Sequence, residues 1–170
     1  QRSLRRQMGR LPQDPCLFPG MLAENIALGR PEAPLAAIQA AAILARMHDF
    51  IMSLPDGYQT KVSEGSSNLS LGQRQLICMA RAALADPRIL ILDEATASVD
   101  TVTEAFIQDA IDRLLTGRTA LVIAHRLSTI QHADLICVVQ DGRIVEQGQH
   151  EALLAQGGLY REMVAQRFVA

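Results

Sequence analysis

Compact apolar runs alternate along the chain with stretches in which apolar residues recur every three or four positions. Three runs, Ile89–Leu92, Ala120–Ala124 and Leu135–Val139, are rich in branched residues and too short for helices. They predict strands covered on both faces, as in a parallel sheet. Asp141-Gly142 after the third run is a tight-turn signal that folds Arg143–Glu146 back as a hairpin partner at the sheet edge. Between Pro31 and Ala85 the pattern changes to helix. Pro34 suits a first helical position and is followed by an alanine-rich run to Arg46. Pro55-Asp56-Gly57 is a turn. Over Thr101–Leu115, Ile107, Ile111 and Leu114 fall on one helical face, with Asp100 placed to cap the start and Gly117 to stop the end. His150–Phe168 reads as two short helices parted by Gly157-Gly158, and no internal repeat, low-complexity tract or linker interrupts the chain. The alternation predicts an α/β fold with a mostly parallel sheet into which a helical subdomain is inserted.

Composition narrows the reading. With 170 residues, 49% hydrophobic and 20% charged, the chain has enough apolar content for one globular domain with a sizeable core. A net charge of -2 and a pI near 6.1 argue against a nucleic-acid footprint. The small cluster of Arg2, Arg5 and Arg6 reads as a solvated turn. Cys16, Cys78 and Cys137 lie far apart in apolar surroundings, predicting buried free thiols in a reducing compartment and no metal spacing. No signal peptide is visible. The most apolar stretch, Leu76 to Ala85, is broken by Arg81 and falls well short of the ~20 residues of a membrane span. The sequence opens on Gln1, not methionine, which points to a lost beginning.

Four features carry candidate chemistry. Ile89-Leu90-Ile91-Leu92 runs into Asp93-Glu94, placing two carboxylates at the carboxyl edge of a sheet, where α/β proteins bind ligands. Asp93 suits Mg²⁺, a hard cation that prefers oxygen, and Glu94 suits activation of a water; the plainer alternative is a strand followed by two solvated acids. Ser70 with Gln73 three residues later is a capping box ahead of a long helical run. It is either a helix start only or a phosphate site using the electropositive helix end, with Gly72 admitting a ligand close to the backbone. His125 follows the strand Ala120–Ala124 and, if the strands are neighbours, shares the edge with Asp93 and Glu94, where it can donate to a phosphate oxygen. His48, His132 and His150 lack that setting and read as structural or surface residues. Gln13, held between Pro12 and Pro15 in Leu11-Pro12-Gln13-Asp14-Pro15, can reach a metal or its water, or belong to an ordinary proline-rich turn.

The order of these features resembles the ATP-binding-cassette (ABC) ATPases over essentially the whole chain. Gln13 matches the family's Q-loop, and Leu69-Ser70-Leu71-Gly72-Gln73 its LSGGQ signature. Ile89–Glu94 matches Walker B with the catalytic glutamate, Ala97-Ser98-Val99-Asp100 the D-loop, and His125 the switch histidine. Leu17-Phe18 with Glu24-Asn25-Ile26, Leu54-Pro55-Asp56-Gly57-Tyr58 and Gly142-Arg143-Ile144-Val145-Glu146 resemble the exporter branch. The resemblance implies a partial P-loop NTPase-like domain spanning 1–170. Residues 15–85 form its helical signature subdomain, and 1–14 with 86–170 the remainder of the catalytic core.

Two departures stand out. The family's phosphate loop, GxxxxGK[ST], is absent: the sole lysine, Lys61, sits between Thr60 and Val62. The chain therefore reads as a C-terminal fragment, inactive alone, of a domain whose adenine-stacking aromatic also lies upstream. Leu71 replaces a glycine of the signature, where a branched side chain would crowd the γ-phosphate.

For the intact parent, the resemblance implies head-to-tail dimerisation with a second nucleotide-binding domain, homo- or heterodimeric, at the cytoplasmic face of the plasma (inner) membrane. Gln13 and Asp93 would serve Mg²⁺ and Glu94 and His125 the chemistry of ATP bound in cis. Ser70, Leu71, Gly72 and Gln73 would serve the partner's ATP, and Asp100 would couple the two sites. The helical subdomain would meet the transmembrane part of the exporter. A non-enzymatic docking or regulatory fragment and a soluble, non-transport ABC ATPase are the alternatives. Exposed apolar neighbours of Ile89–Leu92 and Ala120–Ala124 would make the isolated chain prone to aggregate.

Overall fold

The computed structural model describes residues 7–93, 99–124 and 127–168, grouped in two compact units that divide after Ile123. The first unit is built on a parallel sheet of β1 (Met8–Leu11), β4 (Ile89–Asp93) and β5 (Thr119–Ile123), with β4 in the centre. Leu11 pairs with Leu92, and Asp93 with Ile123, so all three strands end at one edge. Between β1 and β4 lies the helical insertion: α1 (Leu22–Ala27), α2 (Leu35–Leu44), α3 (His48–Ser53) and α4 (Leu71–Ala85), with a short antiparallel pair, β2 (Gly20–Met21) and β3 (Lys61–Val62). Helix α5 (Thr101–Leu115) connects β4 to β5.

Helix α4 organises this unit. It touches α1, α2, α5 and β1, and Leu76, Ile77, Ala80 and Leu84 are buried among Leu22, Ile26, Ala42, Leu90 and Ile107. A helix apolar on most of its circumference is stable only at the centre of a core. Arg81 interrupts the apolar second half of α4 and is used: Nε donates to the Asn25 carbonyl at 2.9 Å and a terminal nitrogen to the Cys16 carbonyl at 3.1 Å. Helix α5 follows its expected bounds, with Asp100 capping the start, Ile107, Ile111 and Leu114 buried, and Gly117 left-handed just past the end. Pro34 is the N-cap of α2, not its first residue, and α2 ends at Leu44, two residues short of the run to Arg46, which takes a left-handed backbone.

The second unit holds α6 (Leu127–Gln131), the hairpin β6 (Ile136–Gln140) and β7 (Arg143–Gly148), α7 (His150–Gln156) and α8 (Leu159–Phe168). Asp141 and Gly142 both have positive φ, the requirement of the tight hairpin turn their dipeptide signals. Val138, Leu153, Tyr160 and Val164 form its core. Both Glu146 carboxylate oxygens accept first-turn amides of α8, from Leu159 at 2.6 Å and Tyr160 at 3.0 Å.

Three expectations are corrected. The strands are not covered on both faces: Leu90 and Leu92 are buried while Ile89 and Ile91 are half-exposed, and Leu121 and Ile123 of β5 are 62% and 52% exposed. Burial alternates because the core reaches one face of the sheet only, the period-two pattern of a half-covered strand. The hairpin is a separate antiparallel ladder, and β6 has no parallel partner among the described residues. Cys78 is a buried free thiol, but Cys16 and Cys137 are exposed. In each case the adjacent residue, Leu17 or Val138, takes the buried position, and for Cys137 the alternation of strand β6 turns the thiol outward.

Candidate functional site

The carboxyl edge of the parallel sheet gathers the first group of candidate residues. Because Leu11 and Leu92 are register partners, the Pro12–Pro15 loop leaves the sheet beside the end of β4, where Asp93 stands half-buried. Asp93 and Leu92 share a small cavity of about 30 Å³ with Pro12, Pro15 and, from α4, Gln75 and Cys78. Gln13 is exposed in the bend of this loop. β5 ends level with Asp93, at Ile123. Glu94 and His125, the two expected catalytic residues, lie outside the described residues, as do Ala97 and Ser98. Of the four residues expected around one edge, the structure thus places Asp93 at the end of β4 and Gln13 in the loop that follows the adjacent β1.

Their donor set can be tested against a metal. A carboxylate and an amide carbonyl are hard oxygen ligands, and among the described residues no group of three or more His, Cys, Asp or Glu is arranged to hold an ion. Oxygen donors of this kind suit a hard cation such as Mg²⁺, which retains several waters and takes one or two protein carboxylates together with substrate phosphates.

The second group lies at the start of α4. Ser70 is its N-cap: the Gln73 amide donates to Ser70 Oγ at 3.2 Å, and the Ser70 amide donates to Gln73 Oε1 at 2.9 Å. The expected capping box is therefore formed in both directions. The turn before it is pinned by Arg74, which donates to the carbonyls of Ser66 and Leu69, and by Asn68, which accepts from the Ser63 amide and donates to the Lys61 carbonyl. Ser70 is exposed, Leu71 and Gln73 are half-buried and Gly72 is buried. A helix's first amides have no intrahelical acceptor, so this tip is electropositive.

Gly72 has an unforeseen neighbour. A Cβ placed there would lie 2.3 Å from Thr103 Cγ2 and 3.1 Å from Val99 Cγ1. The space beside this glycine is filled by the start of α5. Val99 belongs to the expected D-loop stretch, but Thr103 is not among the expected site residues. No local pattern could indicate Thr103, since its contact joins positions 31 apart in sequence. Asp100, exposed, caps α5 by accepting from the Thr103 amide at 3.0 Å. That backbone hydrogen bond, with a second from the Thr103 hydroxyl, holds its carboxyl below the usual range.

The segment between the two groups is fixed by Asn25, which is 2% exposed. Its carbonyl oxygen accepts from the Phe18 amide at 2.9 Å and its nitrogen donates to the carbonyls of Phe18 and Met21 at 2.9 and 3.1 Å. Burial pushes the Cys78 thiol up, against the opposing Arg81 charge. The remaining histidines behave as expected. His48 pairs with Tyr58 at 2.8 Å, buried His150 pairs with Tyr160 at 2.6 Å, and His132 is exposed. Burial raises the Tyr58 hydroxyl to about 12. No helix among the described residues is long and apolar enough to cross a membrane.

Known proteins match this arrangement. The family profile described as ABC transporter matches residues 1–97. The chain is 50% identical over 166 residues to the ABC transporter ATP-binding protein YfiC of Bacillus subtilis (strain 168), covering 98% of this chain and 28% of that protein. It is 53% identical over 163 residues to the fatty acid ABC transporter ATP-binding/permease protein of Mycobacterium tuberculosis, covering 96% and 26%. The solved structure of a bacterial Atm1-family ABC exporter with ATP bound superimposes with a TM-score of 0.88 at 45% identity, over 98% of this chain and 29% of that one. The chain thus spans between a quarter and a third of the proteins it matches here. With the fold, the ordered motifs and relatives at half identity in agreement, this chain belongs to the ABC transporter family.

Proposed function

We propose that this chain is part of the nucleotide-binding domain of an exporter and that, in the intact protein, it takes part in ATP hydrolysis at a head-to-tail interface with a second such domain. The observation that carries the reading is the register of β1 against β4, which sets the Gln13 loop beside Asp93 at one sheet edge. It is supported by the formed capping box at the start of α4, a helix tip whose free amides suit a phosphate.

In this reading Asp93 and Gln13 hold the shell of a magnesium ion, which supplies charge neutralisation on the phosphates. Glu94 accepts a proton from, or orients, the attacking water, and His125 donates to the γ-phosphate. On the partner's nucleotide, Ser70 would donate its hydroxyl proton and the free amides at the start of α4 would meet phosphate oxygens, with Gln73 holding the cap. Asp100 couples the two sites. Catalysis of this kind is positioning and electrostatics, with little covalent chemistry for the protein to perform. The helical insertion meets the membrane-embedded part at the cytoplasmic face, so that closing of the nucleotide sites drives export. The 170 residues contain no phosphate loop, and alone they are expected not to turn over ATP.

The test is Glu94→Gln in the full-length protein reconstituted in lipid. ATP binding should be retained while turnover falls about 10²–10⁴-fold, the usual worth of a general base. Near-normal turnover would remove Glu94 from its role. A wild-type protein without magnesium-dependent ATPase activity would remove the whole reading.

A further inference from the structure

We propose that Gly72 is held to glycine by Thr103, which makes Thr103 a positioning residue that sets the Ser70–Gln73 turn against Asp100 within one chain. The proposal rests on the reading of that turn as an ATP-binding element.

Gly72 is the second residue of α4 and is not among the glycines with left-handed backbone, so no dihedral requirement excludes a side chain. Glycine near a helix start also forgoes the better propensity of alanine. Something else demands the missing Cβ, and the demand comes from inside the chain. A Cβ would approach Thr103 Cγ2 to 2.3 Å, closer than real Cβ contacts occur. The residue is buried, so the wall it meets is protein.

Thr103 is well placed to be that wall. It sits in the first turn of a 15-residue helix, with its amide held by the Asp100 carboxylate at 3.0 Å. Threonine on a helix divides between two rotamers, and the hydrogen bond of the Thr103 hydroxyl to Asp100 selects one, which holds the methyl as a spacer. On the other side, Gly72 is flanked by the reciprocal Ser70–Gln73 bonds. The contacts form one short path: Asp100 carboxylate, Thr103 amide, Thr103 methyl, then Gly72 inside the turn that the Ser70–Gln73 bonds close. The Asp100 turn and the Ser70 turn therefore shift together, and the two elements presented to a partner domain keep a set spacing.

This makes a steric prediction that nucleotide contact alone does not. With Thr103 shortened to alanine, the nearest remaining atoms to a Cβ at 72 would be Val99 Cγ1 at 3.1 Å and the Cβ of residue 103 at 3.5 Å. The second is an ordinary contact, and the first needs a methyl to yield slightly.

The experiment compares wild type, Gly72→Ala, Thr103→Ala, the double variant Gly72→Ala/Thr103→Ala, and Gly72→Ala/Thr103→Val in the full-length reconstituted protein. ATPase kcat and KM and the melting midpoint are measured for each. Gly72→Ala alone should lower kcat about tenfold or more, the scale of a small misplacement of a catalytic element. In the Thr103→Ala background the same change should cost about threefold or less, the non-additivity expected of residues in contact. Thr103→Val, which keeps both branches, should give no rescue.

Equal damage by Gly72→Ala in both backgrounds would overturn the proposal and assign the glycine to the nucleotide. So would rescue by valine, or a harmless Gly72→Ala. If Gly72→Ala lowers folding yield instead, recovery of yield by Thr103→Ala supports the contact and persistence of the defect refutes it. A wild-type protein without ATPase activity would defeat the functional reading, and the melting midpoints of the five proteins would still decide the contact.

Discussion

Replacing Asn25 with alanine would remove the side chain that ties the loop carrying Gln13 to the helical insertion. Asn25 is 2% exposed and serves three backbone groups: the Phe18 amide at 2.9 Å and the carbonyls of Phe18 and Met21 at 2.9 and 3.1 Å. The carbonyls retain a second lone pair and tolerate the loss better than the amide does. Arg81 loses its long bond to Asn25 Oδ1 at 3.4 Å but keeps those to the main-chain carbonyls of Asn25 and Cys16, so its charge is not stranded. The dominant cost is one orphaned amide, at about 1–3 kcal/mol, with a smaller contribution from the carbonyls. A total destabilisation of about 2–3 kcal/mol follows. The assay is urea titration by far-ultraviolet circular dichroism, with proteolytic cleavage between Pro12 and Pro19 as a local readout. Cleavage should accelerate more than global unfolding alone would produce, because this segment loses its anchor first. A loss below about 0.5 kcal/mol, the range of ordinary surface substitutions, with unchanged cleavage would refute the anchoring role.

Two further outcomes can be checked. Ile107→Ala, at a position 0% exposed beneath the sheet, should lower stability by about 3 kcal/mol with an unchanged urea slope, whereas Val102→Ala, 65% exposed on the same helix, should cost less than about 0.5 kcal/mol. The Asp100 carboxyl is depressed in the folded protein, so its contribution to stability is complete above its unfolded value of about 3.9 and is lost as pH falls through the lower folded value. The gap in melting midpoint between wild type and Asp100→Ala should therefore be constant from neutral to mildly acidic pH and close in strong acid; a gap that closes near neutrality would contradict this.

Local signals in the sequence were reliable where a single segment determines its own geometry. Asp100 and Gly117 bracket α5, Ser70 and Gln73 cap α4, and Asp141-Gly142 turns the hairpin, because each depends on bonds or dihedrals within a few residues. Signals that depend on what covers a surface were not. Ile89–Leu92 and Leu135–Val139 look alike as apolar runs, yet one lies at the centre of a parallel sheet and the other overlaps a strand of an antiparallel pair. Cys16 and Cys137 have apolar neighbours along the chain, yet Leu17 and Val138 take the buried positions beside them. For the candidate site, the motif order brought Gln13 and Asp93 to one edge, as register shows. The packing of Thr103 on Gly72 joins helices separated by β4 and was beyond any local reading.

The cap on α4 has a chemical consequence of its own. A hydroxyl carries two lone pairs and one proton, and receiving the Gln73 amide uses only a lone pair. Aspartate at the same place would stop the helix equally well but would offer nothing to donate and would set a negative charge at the tip. Serine closes the helix and still has a hydrogen to give outward. A single oxygen atom can thus serve the folding of the chain and the recognition of an anion without either use displacing the other.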